Sequence, residues 1–168
     1  LFNWLGPLAN PALATHQLVG VADGERARTV AEVLSRLGVT RALVIHGVGG
    51  LDELSLEAGN VAYEATARGV SQAEGFEASR LGLAPSGTTA LRGGDAATNA
   101  GIMKSVLSGE RGPKRDALIL NAAAALWISG RVPSLEQGGE EARAQIDSGN
   151  ALRVLDRFVG ISKKLGEN

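Results

Sequence analysis

The chain has 168 residues, about the length of one domain, with a formal net charge of −1 and no cysteine. The absence of cysteine excludes disulfides and thiolate metal sites, and a near-neutral charge without a basic block argues against a nucleic-acid surface. No apolar run approaches about 20 residues and no signal peptide is visible, so a soluble cytoplasmic protein is expected. Apolar residues make up 44% of the chain and aromatics only 4%. Ala, Leu and Val must therefore supply the core, which favours helices packed closely on a sheet.

The chain opens Leu1-Phe-Asn-Trp-Leu-Gly-Pro7 without an initiator Met and reads as the C-terminal part of something longer. Leu5-Gly-Pro-Leu-Ala-Asn-Pro11 has two prolines, each fixing φ. It predicts a stiff, irregular loop, either a connector or a place where the backbone approaches a small planar ligand. His16 to Val21 predicts a short strand. Asp23 then has the character of an N-cap, with Ala27, Val30, Val33, Leu34 and Leu37 at helical spacing and Gly38 as the stop. Ala42 to Ile45 is a continuous apolar run, the mark of a strand covered on both faces. Strand, helix and strand in about 30 residues make a βαβ unit with a right-handed crossover.

Segments near Asn60–Ala65 and Val70–Gly75 predict a hairpin at the sheet edge, turning around Arg68-Gly69, and Gly82 to Gly94 is loop-rich. Four helices should follow. Asp95 caps one running to about Leu107. Gly112-Pro113 starts a second, strongly apolar one through Ile128. The others cover roughly Leu135–Asp147 and Asn150–Leu165, divided by Ser148-Gly149. The fold class is α/β: a partial, mostly parallel sheet with flanking helices and a helical C-terminal layer.

Chemistry is expected where the buried strand ends, in Gly47-Val-Gly-Gly-Leu-Asp-Glu-Leu-Ser55. In such sheets ligands bind beyond the carboxyl ends of the strands. Asp52 and Glu53 present hard oxygen ligands side by side, and Mg²⁺ takes one or two protein carboxylates and completes its shell with water and phosphates. The plain alternative is a solvated acidic loop. His46 at a strand end reads as a structural hydrogen-bonder. Asp95 reads as an N-cap, since its charge would repel a phosphate at the Gly93-Gly94 turn. Asn121, polar on a buried helix, should satisfy a neighbouring backbone group.

Taken in order, the motifs resemble the C-terminal half of the anthranilate phosphoribosyltransferase family. They are Phe2-Asn-Trp-Leu-Gly-Pro-Leu-Ala-Asn-Pro11, Gln17-Leu-Val-Gly-Val21, Val44-Ile-His-Gly47 and Gly50-Leu-Asp-Glu-Leu-Ser55. Further along come Leu91-Arg-Gly-Gly-Asp95 with Asn99-Ala100, Arg115-Asp-Ala-Leu-Ile-Leu-Asn-Ala-Ala123, and Ile146-Asp-Ser-Gly149. The resemblance implies transfer of a phosphoribosyl group from phosphoribosyl pyrophosphate to the anthranilate amine, in tryptophan biosynthesis. It implies Mg²⁺ held by Asp52 and Glu53, and anthranilate lined by Gly6 and Pro7. It also implies that residues 1–168 are the C-terminal portion of a glycosyltransferase α/β domain in a protein that is a homodimer at full length.

The family's N-terminal helical domain, its Gly-Thr-Gly-Gly-Asp phosphate loop, its Lys-His-Gly-Asn segment and an arginine for the anthranilate carboxylate have no counterpart in the sequence. The chain alone is therefore expected to be inactive. Two other readings remain open. One is an enzyme like the pyrimidine-nucleoside phosphorylases, against which the Leu-Asp-Glu and Gly-Pro-Leu-Ala-Asn-Pro loops count. The other is a non-catalytic homologue that binds nucleic acid, against which the charge and the Asp52-Glu53 pair count.

Overall fold

A computed structural model describes residues 6–9 and 11–166; the expectations at residues 1–5 and at Asn10 lie outside the described residues. Four strands, β1 (His16–Gly20), β2 (Arg41–His46), β3 (Val61–Thr66) and β4 (Gly69–Ala73), form one sheet in the order β1-β2-β3-β4. Helix α1 (Gly24–Arg36) joins β1 to β2, and α2 (Ala96–Leu107), α3 (Pro113–Ile128), α4 (Leu135–Asp147) and α5 (Asn150–Gly166) follow the sheet.

Strand β2 organises the core. Its residues Ala42 to Ile45 are at most 2% exposed, and they alternate between two apolar clusters. Leu43 and Ile45 pack with Leu54, Leu56, Phe76, Ile119, Leu120 and Ala123 on one face of the sheet. Ala42 and Val44 pack with Val19, Ala27, Val30, Ala31 and Leu34 on the other. The period of two along a strand thus divides one apolar run between two helical layers.

Helix α1 begins where Asp23 accepts the Glu25 N–H (3.1 Å) and ends in a Schellman turn. There the Val39 N–H donates to Leu34 O and the Gly38 N–H to Ser35 O, with Gly38 at φ 80°. Val39 is consequently buried, while Leu37, expected on the apolar face, is the C-cap and is 61% exposed. Leu37 keeps helical angles, but the chain turns away at Gly38, and Val39 takes the buried place beyond the helix end.

The β1–β2 pair is parallel, as the βαβ pattern requires. The sheet is nevertheless mixed rather than mostly parallel, since β2–β3 and β3–β4 are antiparallel. A parallel neighbour to β2 would need a crossover, usually a helix. The intervening Gly47–Asn60 segment contains none and folds back at the same end of the sheet. The expected hairpin is present, with Thr66 paired to Gly69 across its turn. Helices α2 to α5 follow their expected limits closely. Leu118 on α3 is 39% exposed, so that helix is buried on most of its circumference and open on one side. Among the described residues, no helix is long and apolar enough to cross a membrane.

Candidate metal and substrate site

The loop after β2 starts as a miniature hairpin. Gly47 N–H donates to Leu51 O (2.9 Å) and Leu51 N–H to Gly47 O (3.2 Å). Gly49 and Gly50 occupy positive φ at 85° and 80°, which only glycine adopts without strain. The reversal turns Asp52 toward the end of β1. There Gly20 lies so close that a Cβ on it would stand 1.6 Å from the Asp52 carbonyl oxygen. The two strand ends meet because residue 20 has no side chain.

Beyond the pair of carboxylates the main chain is held by asparagines. The Asn121 carboxamide accepts from Leu54 N–H (2.8 Å) and donates to Leu54 O (3.0 Å) and to Ala117 O (3.0 Å). The Asn60 carboxamide accepts from Ser55 N–H (2.8 Å) and donates to Ser55 O (2.9 Å) and Phe76 O (3.0 Å). Leu54 and Ser55 are 0% and 1% exposed, so these groups have no water to turn to. A third asparagine uses the same grip nearby, Asn99 bonding both the N–H and the C=O of Gly94.

Asp52 and Glu53 both reach solvent, although the Glu53 carboxyl is partly desolvated where it lies against the protein. Asp52 lines a cavity of about 150 Å³ at the end of β1 together with Pro7, Gly20 and Ala22. Glu53, the next residue, lines a separate groove of about 460 Å³ between α2 and α3, whose walls include Asn99, Lys114, Met103 and Leu118. Partial burial, and then the neighbouring Asp52 charge, hold the Glu53 carboxyl above its ordinary pKa. Such a pair resists carrying two negative charges, and a bound dication relieves it. Among the described residues no group of three or more His, Cys, Asp or Glu side chains could hold a metal. Two neighbouring carboxylates are the number of protein ligands that Mg²⁺ commonly takes, with water and phosphate oxygens filling the rest of its shell.

The fold thus brings Pro7 and Asp52 to one cavity, while Glu53 lines a separate groove. Gly6 is exposed, with no described atom within 4 Å of where its Cβ would stand. Residues 6–8 form a helical turn rather than an irregular loop. His46 donates from Nδ1 to Val21 O (2.8 Å) and packs on Gly24, the structural role expected of it. Asp95 accepts from Thr98 N–H (2.8 Å) at the start of α2, as an N-cap. Sequence reasoning missed Gly20 and Asn60. Gly20 left a signal, a glycine closing an apolar strand, which marks a close backbone approach; Asn60 left none beyond its polarity.

A family model described as "Glycosyl transferase family, a/b domain" matches residues 1–152. An anthranilate phosphoribosyltransferase from Rubrobacter xylanophilus is 45% identical over 166 residues, covering 98% of this chain and 48% of that protein. One from Thermomicrobium roseum is 48% identical over 169 residues, covering 99% of this chain and 49% of that protein. The chain spans about half the length of the curated relatives it matches. Among solved structures, anthranilate phosphoribosyltransferase from Thermus thermophilus superposes with a TM-score of 0.83 at 39% identity, over 95% of this chain and 46% of that one. The Saccharomyces cerevisiae enzyme in complex with PRPP and Mg gives a TM-score of 0.80 at 28% identity, over 95% and 46% of the two chains.

Proposed function

The chain belongs to the glycosyl transferase family with this a/b domain, and from that premise we propose that it forms part of an anthranilate phosphoribosyltransferase. On this reading residues 1–168 are the C-terminal portion of the glycosyltransferase α/β domain, and a helical domain and phosphate loop elsewhere in the polypeptide complete the enzyme. The reaction is displacement of pyrophosphate from the ribose C1 of phosphoribosyl pyrophosphate by the amine of anthranilate.

The observation that carries this reading is the meeting of Pro7 and Asp52 in one cavity at the carboxyl end of the parallel pair, with Glu53 the next residue along the chain. Asp52 and Glu53 would hold Mg²⁺, and Gly6 and Pro7 would line the anthranilate pocket. Bound there, magnesium would neutralise the charge that builds on the departing pyrophosphate. Pro7, with φ fixed, gives the cavity a stiff wall. Gly20 lets the carboxylate loop close against β1, and the asparagine grips hold that loop to the core.

Steady-state kinetics at several Mg²⁺ concentrations test the proposal in the full-length protein carrying this chain. Asp52→Asn and Glu53→Gln preserve shape and remove one charge each. Each should raise the Mg²⁺ requirement and lower kcat/KM by about tenfold or more, a loss of at least ~1.4 kcal/mol of transition-state stabilisation. Melting temperatures should change little, because each amide is nearly isosteric with the carboxylate it replaces. Wild-type rate and Mg²⁺ dependence in both variants would reduce the pair to a solvated acidic loop.

A further inference from the structure

We propose that Asn121 is a positioning residue for the Asp52-Glu53 pair, acting from the middle of α3 through the main chain of Leu54. The inference rests on the metal reading above and adds to it a residue that touches neither metal nor substrate.

The Leu54 N–H belongs to the peptide plane that also contains the Glu53 carbonyl. Fixing that N–H against Asn121 Oδ1 at 2.8 Å restrains ψ of Glu53, and with it the direction in which the Glu53 side chain leaves the backbone. The same carboxamide takes the Leu54 carbonyl at 3.0 Å, so the plane on the other side of Leu54 is held as well. The third bond, to Ala117 O, orients the carboxamide on its own helix. The two bonds to Leu54 thus come from a rigid element 67 residues away in sequence.

The loop needs such an anchor. Its first half contains Gly47, Gly49 and Gly50, so local stiffness is low where the carboxylates emerge. The Gly47–Leu51 pairing restrains the entry to the pair, and Asn121 and Asn60 restrain its exit. Mg²⁺ demands near-ideal octahedral geometry at about 2.0–2.1 Å, so a displacement of a few tenths of an ångström at Glu53 is enough to weaken binding. A purely structural asparagine would satisfy Leu54 and leave ion affinity unchanged when stability is matched.

The test uses the ¹⁵N-labelled full-length protein carrying this chain, with phosphoribosyl pyrophosphate present to complete the ion's shell, Mn²⁺ as the probe, and broadening of the Asp52–Ser55 amide resonances with free Mn²⁺ counted by electron paramagnetic resonance. Asn121→Ala is compared with Leu34→Ala, a core truncation in the cluster on the opposite face of the sheet, at temperatures where both are fully folded. Asn121→Ala should raise the Mn²⁺ dissociation constant at least fivefold, and Leu34→Ala should leave it within twofold of wild type. Asn121→Thr, uncharged and too short to bond both the N–H and the C=O of Leu54, should raise it likewise; it carries the test if the alanine variant does not fold. Equal affinities for the position-121 variants and Leu34→Ala would overturn the positioning role. Asp52→Asn separates the two readings. If it abolishes broadening while the position-121 variants bind normally, only the positioning inference falls. If it binds as wild type does, or if wild type binds no Mn²⁺, the metal reading falls and takes this one with it.

Discussion

Replacing Gly20 with alanine should damage the site more than any other single methyl group. The added Cβ would stand 1.6 Å from the Asp52 carbonyl oxygen, 2.5 Å from its carbonyl carbon and 3.1 Å from its Cα. An ordinary non-bonded contact lies near 3.5 Å, so strand end and loop must separate by nearly 2 Å. The obstacle is backbone, and no rotamer change relieves it. The loop is also tied to α3 through Leu54 and to Asn60 through Ser55, so retreat strains bonds worth about 1 kcal/mol each. Overpacking of this kind costs about 1–3 kcal/mol, which for a chain of this size lowers Tm by roughly 2–4 °C per kcal/mol. Displacement by about 1 Å can cost a positioned group on the order of a hundredfold in rate. Gly20→Ala should therefore lower Tm by several degrees and raise the Mg²⁺ requirement sharply in the full-length protein. Gly101→Ala is the control. It lies inside α2 with nothing within 4 Å of the new methyl, and should leave Tm unchanged or raise it. If Gly20→Ala melts and binds divalent ions like wild type, the close approach of β1 to the carboxylate loop is not a feature of the folded protein.

Two titration experiments probe the local electrostatics. The Glu53 carboxyl is held above its ordinary pKa, first by burial and then by the Asp52 charge. The stability it contributes is full in acid and is lost as pH rises through the folded-state value. Glu53→Gln should therefore match or exceed wild type in urea melts at neutral pH and lose that advantage near pH 4; the opposite pH trend would contradict the assigned cause. At the start of α2 the sign reverses. Thr98 holds the Asp95 carboxyl below its ordinary pKa, so its capping is present above the unfolded-state value and lost as pH falls through the folded one. Asp95→Ala should speed amide exchange at Thr98 at neutral pH and leave it unchanged in strong acid, whereas equal protection at neutral pH would show that the cap does not hold the helix end.

The helix limits were legible because they depend on local chemistry. Asp23 and Asp95 cap helices, Pro113 opens one, and Gly38 turns one off through its positive φ. The double burial of Ala42–Ile45 was legible as an unbroken apolar run, and its division between two clusters follows from strand geometry. Strand partners were less legible. Periodicity reports which face of a segment is apolar and is silent about which neighbour lies beside it. The antiparallel return of β3 onto β2 depends on the path of Gly47–Asn60, a segment without periodicity. Leu37 shows the same limit at smaller scale, since its spacing fits the helix while the chain turns away just beyond it at Gly38 and leaves it exposed.

The candidate site was legible where chemistry resides in the residue type and illegible where it resides in proximity. Two adjacent carboxylates after a buried strand announce themselves. Asn121 was legible as a polar group needing a backbone partner, but its partner at Leu54 is not recoverable from spacing. Gly20 likewise acts by making room for a carbonyl that arrives from another strand end. The loop divides its labour accordingly. Glycines at 47, 49 and 50 permit a reversal too tight for other residues. Asparagines at 60 and 121 then remove the freedom those glycines introduced, through side chains that substitute for sheet partners. One grip reaches across five residues and the other across 67. The geometry of the carboxylate pair is therefore inherited from the packing of α3 on the sheet, and core substitutions that tilt α3 should reach the site through Leu54 before any substitution in the acidic loop itself is made.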